Sequence, residues 1–259
     1  GRSAAFIFDF PIRIKENVEE LEIFSEKIIR EICKFLVPEK LELASIDSTG
    51  IDAWQRSRHY EKRCAEIEGK KIPPMSYAKT SLFVDVKTKI IIDWDLVMSR
   101  EHDVKIAERI FKRNSLKGIR GIGDKGYDSE PLHEIARENG IEFFAPTRKM
   151  DRRGFSNQRP KGFYRRKCKE NPPEDKGMRS ISENVNSVLK GTQITSLRSK
   201  KDCMRQKELG WHVILYNLKR KIKLHRNGEV QTFLFFQIKI YLIWDNAQLV
   251  THNYLKQKG

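Results

Sequence analysis

Three carboxylates stand where chemistry could be done. Asp47 closes the apolar run Leu41-Glu-Leu-Ala-Ser-Ile-Asp47, Asp124 closes Ile119-Arg-Gly-Ile-Gly-Asp124, and Glu183 lies in a later helix-like stretch. If the two runs are strands of one sheet, both aspartates reach one edge, and a helix packed across that edge brings Glu183 to them. Three oxygen ligands of this kind suit a hard cation, Mg²⁺ or Mn²⁺. Two such ions about 3.5–4 Å apart can activate an attacking oxygen and stabilise a leaving one at phosphorus. Each residue also has a plainer reading. Asp47 precedes Ser48-Thr49-Gly50, and Asp124 sits in Gly123-Asp-Lys-Gly126, both turn-forming contexts. Glu183 reads equally as a solvated helix carboxylate. Asp85, Asp93 and Asp95 compete for the role. Asp93 and Asp95 share one strand face, which is expected to look to solvent or to a basic loop. His59 and His102 are candidate active-site neighbours, a structural hydrogen-bonding role being the plainer reading of each.

The charge balance narrows the partner. The 259 residues carry 51 Lys and Arg against 35 Asp and Glu, a net +16. Such an excess favours a polyanion, nucleic acid first and an anionic membrane surface second. Cys33, Cys64, Cys168 and Cys203 form no CxxC pair, so neither a zinc site nor a disulfide framework is signalled, and a reducing, cytoplasmic setting fits. The greasiest stretch, Phe233 to Trp244, is interrupted by Gln237 and Lys239 and is shorter than the ~18 apolar residues a span needs. It reads as a strand or a tail. The chain begins Gly-Arg-Ser without Met and reads as a fragment or a processed product.

The elements that must position the carboxylates follow from periodicity. Apolar residues at helical spacing, from Val18 through Ile28, Ile32 and Leu36, predict a helix over 16–36 that Pro38 ends. A strand over 41–47 precedes a polar loop over 52–76. Two β-rich runs, 78–86 and 89–98, are joined by a hairpin turn at 86–89. Asp103 caps a helix carrying Ile106, Ala107, Ile110 and Phe111. A strand over 119–124, a helix over 129–139 started by Ser129 and closed by Gly140, and a strand over 141–145 come next. Residues 148–169 hold ten Lys or Arg against one Asp, with Phe155, Phe163 and Tyr164 interleaved. They read as a loop or arm suited to phosphate contact and base stacking. Helices over 179–190 and 199–220 complete an α/β order.

Three of these segments together resemble the DDE transposases of prokaryotic insertion sequences, which have a ribonuclease H-like core. Ile46-Asp-Ser-Thr49 resembles the first metal-binding Asp segment. Gly123-Asp-Lys-Gly-Tyr-Asp-Ser129 resembles the second. Arg179, Glu183 and Lys190 match the arginine–glutamate–lysine spacing around the family's Glu. Ser99-Arg-Glu-His-Asp103 and Tyr216-Asn-Leu-Lys219 extend the likeness to roughly 41–220. Lys176 stands where the signature often has Tyr, and the large insertion of some members is missing.

The resemblance implies a ribonuclease H-like mixed sheet flanked by helices over 41–220, with a basic arm at 148–178. Before it lies an N-terminal helical segment at 1–40, a truncated DNA-binding region; after it, a tail at 221–259 with no assigned role. It implies that Asp47, Asp124 and Glu183 are catalytic and hold two Mg²⁺ or Mn²⁺ ions. It implies nicking of double-stranded DNA at terminal inverted repeats and transfer of the freed 3′-hydroxyl into target DNA, by a homodimer in the prokaryotic cytoplasm. Arg179 and Glu183 at i and i+4, with Lys190 two turns on, share a helical stripe. The expected DNA contacts are Arg179, Lys190, Lys125, Arg165 and Arg166, with Arg198 and Lys201 on a last helix that also carries Lys200, Arg205 and Lys207. Two alternatives stand beside this: a catalytically inactive DNA-binding remnant, and a ribonuclease H-like nuclease or resolvase.

Overall fold

The computed structural model describes residues 25–53, 58–69, 77–149 and 159–227. The first described segment is helical over 25–36 (α1), the C-terminal half of the helix expected from periodicity. Strands β1 (Leu43–Ala53), β2 (Tyr77–Asp85) and β3 (Ile91–Val97) come after it, with α2 (Arg58–Glu68) between the first two. Then come α3 (Asp103–Arg113), β4 (Ile119–Ile122), α4 (Glu130–Glu138) and β5 (Ile141–Phe144). The last elements are α5 (Phe163–Glu170), α6 (Ser180–Thr192), β6 (Ser196–Leu197) and α7 (Asp202–Arg226).

The strands form one mixed sheet in the order β3-β2-β1-β4-β5, with β6 beside β1. β1 and β3 run antiparallel to β2, while β4, β5 and β6 join by parallel pairing. Parallel neighbours need crossover connections, and α3 and α4 supply them. This is the mixed α/β sheet flanked by helices expected from the sequence. On the crossover face, Ile46 and Phe83 meet Ile106, Ile110, Phe111, Leu132 and Phe143 in one buried cluster. Phe83, Phe111 and Phe143 stack edge-to-face at 5.5 and 5.2 Å, the arrangement their ring quadrupoles favour. α7 runs close to β3 and α1: a Cβ on Gly210 would lie 2.5 Å from Ile29 and 2.9 Å from Trp94. From α7, the fully buried Asn217 accepts from the Ile91 N–H and donates to the Ile91 carbonyl, both at 2.8 Å. It thus satisfies backbone groups on the outer strand β3.

Several expectations are corrected. The loop over 52–76 contains α2. The basic run contains α5, whose first free N–H groups, Tyr164 and Arg165, donate to the Glu130 carboxylate at 2.9 and 3.0 Å. That cap from a distant residue lets a polar, charge-rich sequence start a helix. β1 does not end at Asp47 but runs on to Ala53, because its other edge pairs β2 through Asp52. The cap of α3 is His102, whose Nδ1 accepts from the Val104 N–H at 3.3 Å; Asp103, the first helical residue, pairs with Lys79.

Asp93 and Asp95 do not face solvent. They are buried, and Asp93 binds Arg30, Arg113 and Asn114 while Asp95 binds Arg109. Asp85 is also buried, accepting from the Thr88 N–H in the hairpin turn. The Phe233–Trp244 stretch lies outside the described residues.

The chain forms two compact units, 1–217 and 218–259. In the second, residues 218–226 are helical. Among the described residues no helix is long and apolar enough to cross a membrane.

Candidate active site

The sheet has a notch. β4 pairs β1 only through Ser45, opposite Ile122, and β6 joins the same edge of β1 only at Asp52. Between these points that edge of β1 has no strand beside it among the described residues, and Asp47 lies there. Asp124 lies two residues past the end of β4, near enough for its charge to act on Asp47.

Asp124 is held by the turn after it. It caps the short 3-10 turn Lys125–Tyr127, its Oδ1 accepting from the Gly126 N–H at 2.7 Å. A Cβ on residue 126 would itself sit 2.7 Å from that oxygen, so a larger residue there would push the carboxylate aside. The same turn buries Tyr127, whose hydroxyl meets Ser48 Oγ at 2.9 Å, and Ser48 in turn bonds Ser81. The residues next to Asp47 and after Asp124 are therefore tied together. Burial pushes the Tyr127 hydroxyl well above its ordinary pKa, so it stays protonated.

α6 lies over the same stretch of β1. Asn186 Nδ2 donates to Asp47 Oδ2 at 2.9 Å, and Lys190 Nζ donates to Thr49 Oγ1 at 3.2 Å. Asn186 and Lys190 are one turn apart; Asp47 and Thr49 are alternate residues of one strand face. Glu183 lies one turn before Asn186 and makes no hydrogen bond or ion pair among the described residues. Burial raises the Asp47 pKa; the Asn186 amide and the Ser48 N–H pull it down; the negative charges of Glu183 and Asp124 push it up again. Asp47 thus feels the charge of both other carboxylates.

The other expected contacts divide. Lys125, Arg179, Arg166, Arg198 and Lys201 are exposed. Arg179 ends the 3-10 turn Glu174–Arg179 that leads into α6. Arg165 is engaged elsewhere, its guanidinium donating twice to Asp128 at 2.6 and 2.8 Å. Arg198, Lys200 and Lys201 precede α7 instead of lying on it. Arg205 is buried and donates to the Ser199 carbonyl at 2.8 Å, so it is no part of a solvent-facing strip. His59 lies on α2, with its side chain outside the described residues. Reading the sequence did not single out Asn186, Tyr127 or Thr49. The signal was there: Asn186 sits at i+3 from Glu183 on the stripe toward Lys190, and Thr49 at i+2 from Asp47.

The donor set suits a hard divalent cation. A carboxylate offers about four lone-pair positions, and Asp47 and Asp124 spend few of theirs while Glu183 spends none within the described residues. Crowded negative charge that raises a carboxylate's proton affinity favours a cation equally. Among the described residues, however, no three His, Cys, Asp or Glu side chains are gathered tightly enough to grip a metal as they stand.

A family model described as transposase DDE domain matches residues 38–218. The chain belongs to the transposase DDE domain family. The match begins ahead of β1 and ends in α7, so all three carboxylates of the notch fall within the DDE domain. Members of this family generally use divalent metal ions. Among solved structures the chain is similar to piggyBac transposase in a synaptic complex with hairpin DNA, with a TM-score of 0.43 and 15% identity. That likeness covers 73% of this chain and 49% of the other, so the chain spans about half the length of that transposase. No curated protein matches the chain.

Proposed function

We propose that this DDE domain cleaves DNA at the ends of a mobile element and joins them to target DNA. Asp47, Asp124 and Glu183 are its catalytic carboxylates and would hold two Mg²⁺ or Mn²⁺ ions. Bound there, such ions supply positive charge to the attacking and leaving oxygens of an in-line displacement at phosphorus. The observation that carries the reading is the place of Asp47 in the notch of the sheet, bonded to Asn186 on the helix that carries Glu183 and next to Ser48, which is tied to the turn after Asp124. Asn186 orients Asp47, and the Gly126 N–H orients Asp124. Lys190, Arg179 and Lys125 contact backbone phosphates, with Arg166, Arg198 and Lys201 farther along the duplex. Residues 41–220 form the catalytic core, 1–40 a DNA-binding segment, and the active complex is a homodimer on terminal inverted repeats in the prokaryotic cytoplasm.

One observation favours a second reading. The carboxylates are not drawn into a ready-made metal cage, as a DNA-binding remnant without catalysis would have it. The deciding experiment is nicking of element-end DNA in Mg²⁺ or Mn²⁺, with wild type beside Asp124→Ala. Nicking that depends on Asp124, together with joining to a target duplex, supports the transposase. Equal nicking by both proteins removes the assigned site. Salt-sensitive DNA binding without cleavage in either ion supports the remnant, and cleavage without joining supports a nuclease.

A further inference from the structure

A cavity of about 380 Å³ lies where α4 and α5 flank β4 and β5, and none of the three carboxylates lines it. Its volume falls within the range of roughly 300–1,000 Å³ typical of small-molecule sites. His133, on α4, lines it and is only 3% exposed. Its Nδ1 meets the Phe143 carbonyl at 3.1 Å. A carbonyl only accepts, so Nδ1 carries the hydrogen and Nε2 is left as an acceptor. That Nε2 is buried without a hydrogen-bond partner among the described residues. Burial lowers the His133 pKa, which keeps the imidazole in this neutral form. A buried acceptor left bare costs stability unless an N–H or O–H donor reaches it.

The remaining lining is aromatic and cationic. The Tyr164 ring lies nearly parallel to His133, at 20° with centroids 6.3 Å apart. Phe163 meets Tyr164 edge-on at 5.3 Å and is 65% exposed. Arg137, one turn after His133 on α4, is exposed and has no acidic partner among the described residues. The cavity's other cations are paired, Arg120 with Asp175 and Lys167 with Glu142. A flat aromatic surface, a buried acceptor and an unpaired guanidinium match a planar heterocycle with N–H donors that carries an anionic group.

We infer that this cavity binds a nucleotide. The base lies against Tyr164 and Phe163 and donates an N–H to His133 Nε2, and the phosphate meets Arg137. The nucleotide is either free or an unpaired residue of a DNA strand. The inference does not depend on which carboxylates are catalytic, and Asp124→Ala is expected to leave it unchanged.

The test uses the full chain and the fluorescence of 2-aminopurine, quenched on stacking. Two probes are titrated, 2-aminopurine deoxyribonucleoside monophosphate and a duplex with one unpaired terminal 2-aminopurine, beside the same duplex fully paired. Saturable quenching of the monophosphate identifies a free-nucleotide site; quenching of the unpaired duplex probe alone identifies a strand site. In either case Arg137→Ala and Tyr164→Ala each weaken binding about tenfold, with circular dichroism unchanged. No quenching of either probe, or affinities indifferent to both substitutions, overturns the inference and leaves a cavity that holds only water.

Discussion

Asn186 on α6 donates its side-chain amide to Asp47 on β1 across 2.9 Å, joining residues 139 apart in the chain. The bond fixes one oxygen of a carboxylate whose neighbours are two further carboxylates, and sets Glu183 one helical turn away. It makes Asn186 a positioning residue for Asp47. For Asp47 as the proposed metal ligand, a partner of this kind is typically worth about 10–100-fold in metal affinity or activity. Asn186→Ala is expected to lower the single-turnover nicking rate by that factor while DNA affinity stays within twofold, with partial recovery in Asn186→Gln. An Asn186→Ala protein that nicks at the wild-type rate would show that Asp47 holds its place unaided.

Lys190 reaches Thr49 from the same helix face, and its ammonium stays exposed. A phosphate contact there contributes one released counterion. Lys190→Ala should therefore weaken DNA binding at all sequences and reduce the slope of log K against log salt by about one. Lys190→Gln should behave alike, and Lys190→Arg should keep most of the slope. Titrations across salt concentrations decide it; an unchanged slope places the lysine off the DNA path.

Tyr127 and Ser48 tie the Asp124 turn to β1. Tyr127→Phe keeps the buried ring and removes the hydroxyl, while Ser48 retains Ser81 as a partner. The expected loss is about 1 kcal/mol, the usual net value of one hydrogen bond. Urea unfolding measures it. A loss no greater than that of an exposed Tyr→Phe control would mean that the tie adds nothing to stability.

The pH dependence of stability has a named source in His133. Burial holds its folded pKa below the ordinary 6.5. Above pH 6.5 both folded and unfolded chains carry it neutral, and its contribution is constant. As pH falls from 6.5 toward the folded value, the unfolded chain binds the proton first, so stability falls. His212 is shifted in the same direction by burial. His133→Asn retains an amide that can donate to Phe143 and has no proton to gain. Between pH 7 and pH 5 the variant should lose less unfolding free energy than wild type; parallel curves would remove His133 as a cause.

Buried charge should be costly to disturb. Asp93 accepts from Arg30, Arg113 and Asn114. Asp93→Ala leaves two guanidinium groups short of their carboxylate, and breaking such a pair typically costs about 3–5 kcal/mol. Thermal or urea unfolding of the variant tests this, and a change under about 1 kcal/mol would show that the arginines find other partners.

How much was legible is seen best at particular residues. The apolar spacing of α3 and α4 lies in consecutive residues, so both helices could be read directly, as could the hairpin after Asp85. The fate of Asp93 and Asp95 could not. An aspartate pair on alternate strand positions looks the same whether it faces water or arginines, and Arg30 lies 63 residues away from Asp93. α5 was invisible for the same reason, since its N-terminal cap, Glu130, comes from another element 34 residues earlier.

By itself the sequence determined the basic excess, the alternation of strands and helices, and the order Asp47, Asp124, Glu183 with Arg179 and Lys190 around the last. These are properties of composition and of short-range period, which each segment carries within itself. Only the tertiary structure decided that Asp47 sits inside a strand beside a notch, that Asn186 holds it, and that Arg165 binds Asp128 rather than standing free. Strand length is set by both neighbours of β1, and a guanidinium goes to whichever carboxylate the packing brings within reach.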